Sequence, residues 1–176
     1  MTSIKNKDQR IAIFIDVQNL YHSAKNLYQA RVNFREILKT AVSSRKLIRA
    51  FAYVVRTKTG EEKPFFDALI NLGIETRAKD LQEYYGGLKK ADWDVGIAVD
   101  AIKTADSVDV IVLVSGDGDY VPLVEYLKNH GKRVEAMAFG KSTSSRLREA
   151  VDEFIDLEDG DRYLLKKSRW PITIIR

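Results

Sequence analysis

Short apolar runs rich in β-branched residues alternate along the chain with segments whose apolar residues recur at helical spacing. The apolar runs predict strands over residues 10–16, 47–56, 74–78, 109–115, 133–139 and 153–157. The helical spacing predicts helices over residues 20–30, 34–42, 61–72, 92–104, 120–129 and 144–150. Because the two kinds of element alternate with short connections, we expect an α/β sandwich built on a mostly parallel sheet.

Length and composition narrow the class of protein. The 176 residues, 45% of them hydrophobic and 31% charged, are typical of one compact globular domain. We expect that domain to span residues 1–160, and residues 161–176 to form a basic, then apolar, arm that packs on the domain or on a partner. The absence of cysteine excludes disulfides, zinc thiolate sites and a thiol nucleophile. No run resembles a signal peptide or a membrane span, so we expect a cytoplasmic protein.

Two of the predicted strands end in acidic side chains. The first strand ends at Asp16, and the strand over residues 109–115 runs into a turn that carries Asp117 and Asp119. Ligand sites of open α/β sheets lie beyond the carboxyl ends of the strands, and carboxylate oxygens are preferred ligands of Mg²⁺ and Mn²⁺. If the two strands are neighbours, their acids predict a divalent-metal site. The alternative is an ordinary Gly-Asp-Gly-Asp turn in which Asp119 caps the next helix.

A further acid lies on the helix predicted over residues 92–104. On a helical wheel, Asp94 falls near the middle of the apolar face, which Val95 and Ile102 extend, whereas Asp100 falls on the opposite, polar side. A buried carboxylate without a partner costs several kcal/mol or becomes protonated. A cation that Asp94 shares with other acids would remove that cost.

Two alternatives explain Asp94 without a metal, namely an ion pair with Lys89 or Lys90 and a capping role at the helix N-terminus. We favour metal ligation because the two strand ends supply further acids. The hypothesis is a site for one or two Mg²⁺ or Mn²⁺ ions whose ligands are Asp16, Asp94, Asp117 and Asp119. Asn19 is a candidate to orient a ligand carboxylate or the attacking water, and Ser115 either does the same or closes the turn.

Cations and hydroxyls outside the acidic site are candidates for holding a nucleic-acid backbone. The proposed contacts are Lys58, Lys89, Lys90, Ser142, Ser144 and Arg146. The last three lie where a strand runs into a helix, whose first backbone N–H groups attract phosphate, although capping by Ser142 or Ser144 is an equally good interpretation. Tyr21, Tyr84 and Tyr85 are candidates either to stack on bases or to pack against the domain. The net charge of +4 is a mild bias toward polyanions.

Three motifs, in this order along the chain, resemble the NYN domain, the LabA-like branch of the PIN-like nucleases. They are Asp-x-x-Asn at 16–19, Lys-x-x-x-Asp-Val-x-x-Ala-x-Asp at 90–100 and Ser-Gly-Asp-x-Asp-Tyr at 115–120. The resemblance covers residues 10–157 and implies a Rossmann-like (PIN-like) three-layer sandwich with an acidic metal site and ribonuclease activity. The acids that match the family site are Asp16, Asp94, Asp117 and Asp119, and Asn19 matches its accompanying amide.

The chain departs from the family pattern in one place. Val17 and Gln18 stand where glycine and Asn or Glu are usual, which bears on the local turn geometry. Asp100 also matches a recurrent family acid, but the wheel separates it from Asp94, so we interpret it as a structural or supporting residue.

Together these observations predict a Mg²⁺- or Mn²⁺-dependent ribonuclease that hydrolyses the phosphodiester bonds of single-stranded or structured RNA. The predicted catalytic residues are Asp16, Asn19, Asp94, Asp117 and Asp119. The alternative is an RNA-binding or scaffold protein that keeps the metal-binding acids without efficient catalysis. A homodimer is one interpretation of the apolar end of the chain.

Overall fold

The computed structural model describes residues 5–87 and 89–165, with residues 89 and 90 described by their backbone alone. Its strands are β1 (Arg10–Asp16), β2 (Arg31–Val32), β3 (Lys46–Arg56), β4 (Glu75–Asp80), β5 (Gln82–Glu83), β6 (Lys89–Lys90), β7 (Val110–Val114), β8 (Arg133–Ala138), β9 (Glu153–Asp156) and β10 (Leu164–Leu165). Its α-helices are α1 (Val17–Tyr28), α2 (Phe34–Val42), α3 (Lys63–Asn71), α4 (Asp94–Ala105), α5 (Val121–Asn129) and α6 (Ser145–Ala150). Short 3₁₀ helices cover Gly118–Tyr120, Gly140–Ser142 and Asp161–Tyr163.

The central sheet is parallel throughout the described residues, with the strand order β4-β3-β1-β7-β8-β9. Strand β1 lies between β3 and β7, and its last residues pair Ile15 with Val114 and Asp16 with Tyr53. The strand order reverses between β1 and β7, which is where open α/β sheets bind ligands. The predicted α/β fold class is therefore confirmed, and the two acidic strand ends are neighbours, which was the condition for a shared site.

Helices cover both faces of the sheet, with α1–α3 on one side and α4–α6 on the other. In β1, Ile11, Ile13 and Ile15 face the first core, and Ala12 and Phe14 face the second. Successive side chains of a strand point to opposite faces, so a strand that is buried on both faces needs an apolar residue at every position. This explains the uninterrupted apolar runs of β1 and β7.

Some element boundaries differ from the prediction for local reasons. Helix α1 begins at Val17 rather than residue 20, because Asp16 acts as its N-cap and accepts the backbone N–H of Asn19. The antiparallel pairs β2–β10 and β5–β6 were not predicted, since each strand has two residues and shows no periodic pattern.

One expectation about α4 is wrong. The wheel places Val95 and Ile102 on the buried face, but these side chains are 74% and 41% exposed. The helix packs on the sheet through a narrower stripe that includes Ile97 and Ala101, both buried. Val95 and Ile102 lie beside this stripe and line a groove between α4 and α5.

A buried ion pair joins the loop before β3 to β8. The Arg45 guanidinium donates to both carboxylate oxygens of Glu135 at 2.9 Å, and both side chains are fully buried. Arg133 also donates to Glu135 at 3.0 Å, and the Lys5 ammonium lies 3.8 Å from it. Burial alone would raise the pKa of Glu135, but the hydrogen bonds from Arg45 and Arg133 outweigh it and hold this pKa below its usual value.

The start of the predicted C-terminal arm packs on the domain. Tyr163 is buried with its hydroxyl 3.1 Å from that of Thr40, and β10 pairs with β2. Residues 166–176 lie outside the described residues, so the packing of the remainder stays a prediction. Among the helices that the structure describes, none combines the length and the apolar character needed to cross a membrane.

Candidate metal centre

Asp16 lies at the point where the sheet's strand order reverses. It is the last residue of β1, and its carboxylate is buried. Its Oδ1 accepts the backbone N–H of Asn19 at 3.2 Å, and its Oδ2 accepts the hydroxyl of Ser115 at 3.4 Å. The start of α1 and the end of β7 therefore fix the orientation of this carboxylate.

Asn19 and Ser115 connect the two strand ends. The Oδ1 of Asn19 accepts the backbone N–H of Gly116 at 2.9 Å, and the Ser115 hydroxyl accepts the backbone N–H of Asp117 at 3.3 Å. Ser115 thus makes the turn-closing contact anticipated from the sequence and touches Asp16 as well. Because the contacts of both residues cross from one strand end to the other, they tie the position of Asp117 to that of Asp16.

The glycines of the acidic turn allow a second loop to pack against it. A Cβ at Gly116 would lie 2.8 Å from the Thr143 hydroxyl and 3.1 Å from the Thr143 Cα. A Cβ at Gly118 would lie 2.6 Å from the Ser144 hydroxyl oxygen. The backbone N–H of Ser144 also donates to the Gly116 carbonyl at 2.9 Å. The glycines of Gly-Asp-Gly-Asp are therefore needed for close approach between the turn and the segment 143–144.

Asp94, Asp117 and Asp119 converge on one small region. Each offers a carboxylate oxygen, and these oxygens all lie within 4.8 Å of one another. Asp94 comes from the first turn of α4, whereas the other two come from the turn after β7. Three carboxylate donors at this spacing suit Mg²⁺ or Mn²⁺, which prefer oxygen ligands.

The capping alternative is realised by Asp117 rather than by Asp119. The Oδ1 of Asp117 accepts the backbone N–H of Asp119 at 2.9 Å and caps the short 3₁₀ helix that follows. The second oxygen of Asp117 makes no such contact with that helix. Capping and metal binding are therefore compatible at this residue, and the cap holds the carboxylate in place.

Asp16, predicted as a fourth metal ligand, is not one of the three acids whose oxygens lie within 4.8 Å of one another, and Tyr120 connects it to them. Its buried hydroxyl lies 3.1 Å from Oδ1 of Asp94 and 3.3 Å from Oδ2 of Asp16. A hydroxyl has one proton and donates to one acceptor at a time. When both acids are ionised, only one of them accepts the Tyr120 proton, so protonation of one acid or a bound cation would relieve the repulsion between them.

Tyr120 was not identified from the sequence as part of the candidate site. Its position in the sequence could have indicated this role, because a tyrosine directly after an acidic turn and before a helix is a candidate for burial. A buried tyrosine hydroxyl usually finds a polar partner, and here the available partners are carboxylates.

The pKa values of two of the acids are raised. Burial is the main reason that the pKa of Asp16 rises from 3.8 to about 6, and the neighbouring Asp94 carboxylate adds to the effect. Burial also raises the pKa of Asp94, to which the charges of Asp117 and Asp119 contribute. Without a cation the site therefore destabilises its own charged form, which is the electrostatic condition that favours cation binding.

Asp100 lies apart from the cluster, as the wheel indicates. It accepts the hydroxyl of Tyr53 at 2.9 Å, and the Arg77 guanidinium lies 3.7 Å from the same oxygen. Burial and the Asp100 carboxylate raise the pKa of Tyr53 well above its usual value. These contacts join α4 to β3 and β4, which is a structural connection.

The other predicted substrate contacts are spread along the carboxyl edge of the sheet. Lys58 follows β3, is exposed and lies 3.8 Å from Glu83. The Ser142 hydroxyl donates to that of Ser23 at 2.8 Å, so it supports the loop rather than capping α6. Arg146 is exposed on α6. The side chains of Lys89 and Lys90 lie outside the described residues.

Ser144 and three tyrosines complete the set of predicted contacts. Ser144 is the N-cap residue of α6 but makes no side-chain capping hydrogen bond, and its hydroxyl lies against Gly118 of the acidic turn. Tyr21, Tyr84 and Tyr85 are all exposed, which keeps them accessible to a base.

Comparison with known proteins places these features in a family. The sequence model of the NYN domain matches residues 10–158. The low amplitude and bright protein LabA of Synechococcus elongatus is 29% identical over 172 residues, covering 93% of this chain and 91% of that protein. The uncharacterized protein MJ0482 of Methanocaldococcus jannaschii is 25% identical, and the match covers 92% of this chain and 60% of that protein.

A solved structure supports the same relationship. The crystal structure of VPA0982, a protein of unknown function from Vibrio parahaemolyticus, superimposes with a TM-score of 0.83 and 32% sequence identity. The match covers 92% of this chain and 99% of that one. Because the family model spans most of the sequence and this structure shares the fold, the chain belongs to the NYN domain family.

Proposed function

We propose that this protein is a ribonuclease that depends on Mg²⁺ or Mn²⁺. The observation that carries the proposal is the convergence of Asp94, Asp117 and Asp119 within 4.8 Å beside the reversal point of the sheet. Membership of the NYN family adds support, because the family groups with PIN-like nucleases that typically use divalent metals. The family also favours RNA as the substrate.

The residues of the proposed site have separate tasks. Asp94, Asp117 and Asp119 hold the metal, and Asp16 completes the acidic set through the hydroxyl of Tyr120. Bound Mg²⁺ or Mn²⁺ supplies Lewis-acid stabilisation of the phosphate and lowers the pKa of a bound water.

The proposed site is held in place before substrate binds. Asn19 and Ser115 fix the acidic turn through the backbone N–H groups of Gly116 and Asp117, so little reorganisation accompanies metal binding. Asp119 is exposed, which leaves the cluster open to a large substrate. Exposed cations along the same sheet edge, such as Lys58 and Arg146, are proposed to contact the RNA backbone.

The test is cleavage of end-labelled single-stranded RNA by purified protein in Mn²⁺ and in EDTA. We expect cleavage in Mn²⁺ alone, and we expect Asp117→Asn to abolish it without unfolding the protein. Asp106→Asn is the matched control because it removes the same charge from an exposed position at the far end of α4. This control should cleave as well as the wild type.

The same experiment separates the two functions considered from the sequence. RNA binding by wild type and Asp117→Asn alike, with no cleavage in Mn²⁺ by either, would overturn the ribonuclease proposal. That result would favour an RNA-binding protein that retains an acidic site.

A further inference from the structure

An apolar groove runs beside the acidic cluster, between α4 and α5. Its volume is about 360 Å³, at the lower end of the range of about 300–1,000 Å³ for small-molecule pockets. Its apolar lining consists of Val95, Ala98 and Ile102 from α4 and Pro122, Leu123 and Tyr126 from α5. The size suits one nucleotide better than a segment of protein.

The groove exposes apolar side chains that the sequence pattern predicts to be buried. Val95 and Ile102 extend the apolar face of α4 yet remain exposed, and Tyr126 on the opposite wall is also exposed. The Tyr126 ring stacks on the His130 imidazole, with ring centroids 4.1 Å apart, which fixes its orientation. A ligand that covers exposed apolar surface of this kind binds favourably, because the apolar surface is removed from water.

The groove and the acidic cluster share residues. Asp94, Asp119 and Tyr120 line the groove together with the apolar residues of α4 and α5. A ligand in the groove is therefore adjacent to the oxygens that converge within 4.8 Å. The ligand best matched to this arrangement has a flat apolar ring attached to a group that a metal ion binds.

We propose that the groove holds one unpaired base of the RNA substrate, next to the phosphate at the metal site. This inference rests on the proposed ribonuclease function. A base inside a duplex is stacked on both faces and paired at one edge, so only a single-stranded or looped-out nucleotide enters. Because the walls are mainly apolar, the base is held by stacking and apolar contact, with little reading of its hydrogen-bonding edge.

Charge argues against a second copy of this chain as the occupant. A two-fold contact centred on the groove would bring the Asp94 and Asp119 carboxylates of both copies together, and like charges at short range are unfavourable. RNA brings no such surface, since its phosphate approaches these acids through the metal ion.

The test compares a series of single-stranded RNAs, each with one abasic nucleotide at a different distance from the cleavage site. With wild-type protein in Mn²⁺, we expect kcat/KM to fall about tenfold at one defined position, as loss of one stacked base implies. Replacing that base with any other base should have a much smaller effect.

Two variants of α4 make the assignment specific. Ile102 and Val99 are 41% and 42% exposed, but Ile102 lines the groove and Val99 does not. In Ile102→Gln the fall in kcat/KM caused by the abasic nucleotide should be smaller than in the wild type, because the base has already lost its contact with Ile102. In Val99→Gln this fall should be as large as in the wild type.

The outcomes separate failure of this inference from failure of the proposed function. Metal-dependent cleavage that is indifferent to every abasic position would overturn the base-binding groove and leave the ribonuclease intact. If no RNA is cleaved, the proposed function fails. Base binding in the groove is then tested by the Kd values of the same RNAs in Mn²⁺, which should rise at one abasic position in the wild type and in Val99→Gln, and less in Ile102→Gln. A dimer that Ile102→Gln dissociates and Val99→Gln does not would assign the groove to self-association instead.

Discussion

Asp16→Asn is expected to stabilise the metal-free protein while impairing cleavage. The carboxylate of Asp16 is buried and lies near that of Asp94. The introduced amide keeps an oxygen for the backbone N–H of Asn19, which makes asparagine an equally good N-cap. Its NH₂ group can donate to the Ser115 and Tyr120 hydroxyls, which leaves Tyr120 free to donate to Asp94.

The size of the effect follows from the pKa of Asp16. A rise from 3.8 to about 6 corresponds to about 3 kcal/mol of destabilisation when the group is fully ionised. Because the folded-state pKa is the higher one, this penalty is absent below about pH 4 and complete above about pH 6. Allowing about 1 kcal/mol for less favourable hydrogen bonds, we expect a gain of about 2 kcal/mol near neutral pH and about 0.5 kcal/mol near pH 5.

Thermal unfolding in EDTA measures this gain. A gain of about 2 kcal/mol raises the Tm of a protein of this size by about 4–8 °C. Asp106→Asn removes the same charge from an exposed position and controls for the change in net charge. A lower Tm for Asp16→Asn, or the same shift in both variants at every pH, would refute the conclusion that the buried carboxylate is under electrostatic strain.

Three further substitutions test other parts of the structure. Tyr120→Phe removes the hydroxyl between the two buried acids, and we expect the Mn²⁺ concentration for half-maximal cleavage to rise about 10- to 100-fold. Arg45→Met leaves Glu135 buried with weaker partners, and we expect a loss of about 3 kcal/mol, measured as a lower urea midpoint by circular dichroism. Asp100→Asn should cleave RNA like the wild type and change stability by at most about 1.5 kcal/mol, because it weakens a structural contact with Tyr53.

Each of these expectations has a clear contrary result. An unchanged Mn²⁺ dependence in Tyr120→Phe would show that the hydroxyl does not organise the acids. An unchanged urea midpoint in Arg45→Met would show that the ion pair contributes no net stability. Loss of cleavage by folded Asp100→Asn would bring that residue into the active site.

The sequence was sufficient to predict the sheet and the edge of it at which Asp16 and the acidic turn lie. Strands buried on both faces need apolar residues throughout, so β1 and β7 were recognisable without a structure. Asp16 and Asp117 lie at the same edge of the sheet because parallel neighbours bring their carboxyl ends there. The helical wheel separated Asp94 from Asp100, and their different contacts agree with that separation.

The remaining features depend on contacts between distant segments. The exposure of Val95 and Ile102 depends on how α5 packs beside α4, which helical periodicity does not specify. The role of Tyr120 depends on two acids that lie 104 and 26 residues away along the chain. The glycines of the acidic turn were readable as turn residues, but their contact with Thr143 required the fold.

We propose that acids from separate elements hold one metal ion. Crystals grown or soaked in Mn²⁺ and measured at a wavelength where manganese scatters anomalously test it directly. We predict an anomalous peak at about 2.0–2.2 Å from oxygens of Asp94, Asp117 and Asp119, a distance typical of small divalent cations. A manganese ion bound elsewhere, or no peak at this cluster at a saturating concentration of Mn²⁺, would contradict the proposed metal site.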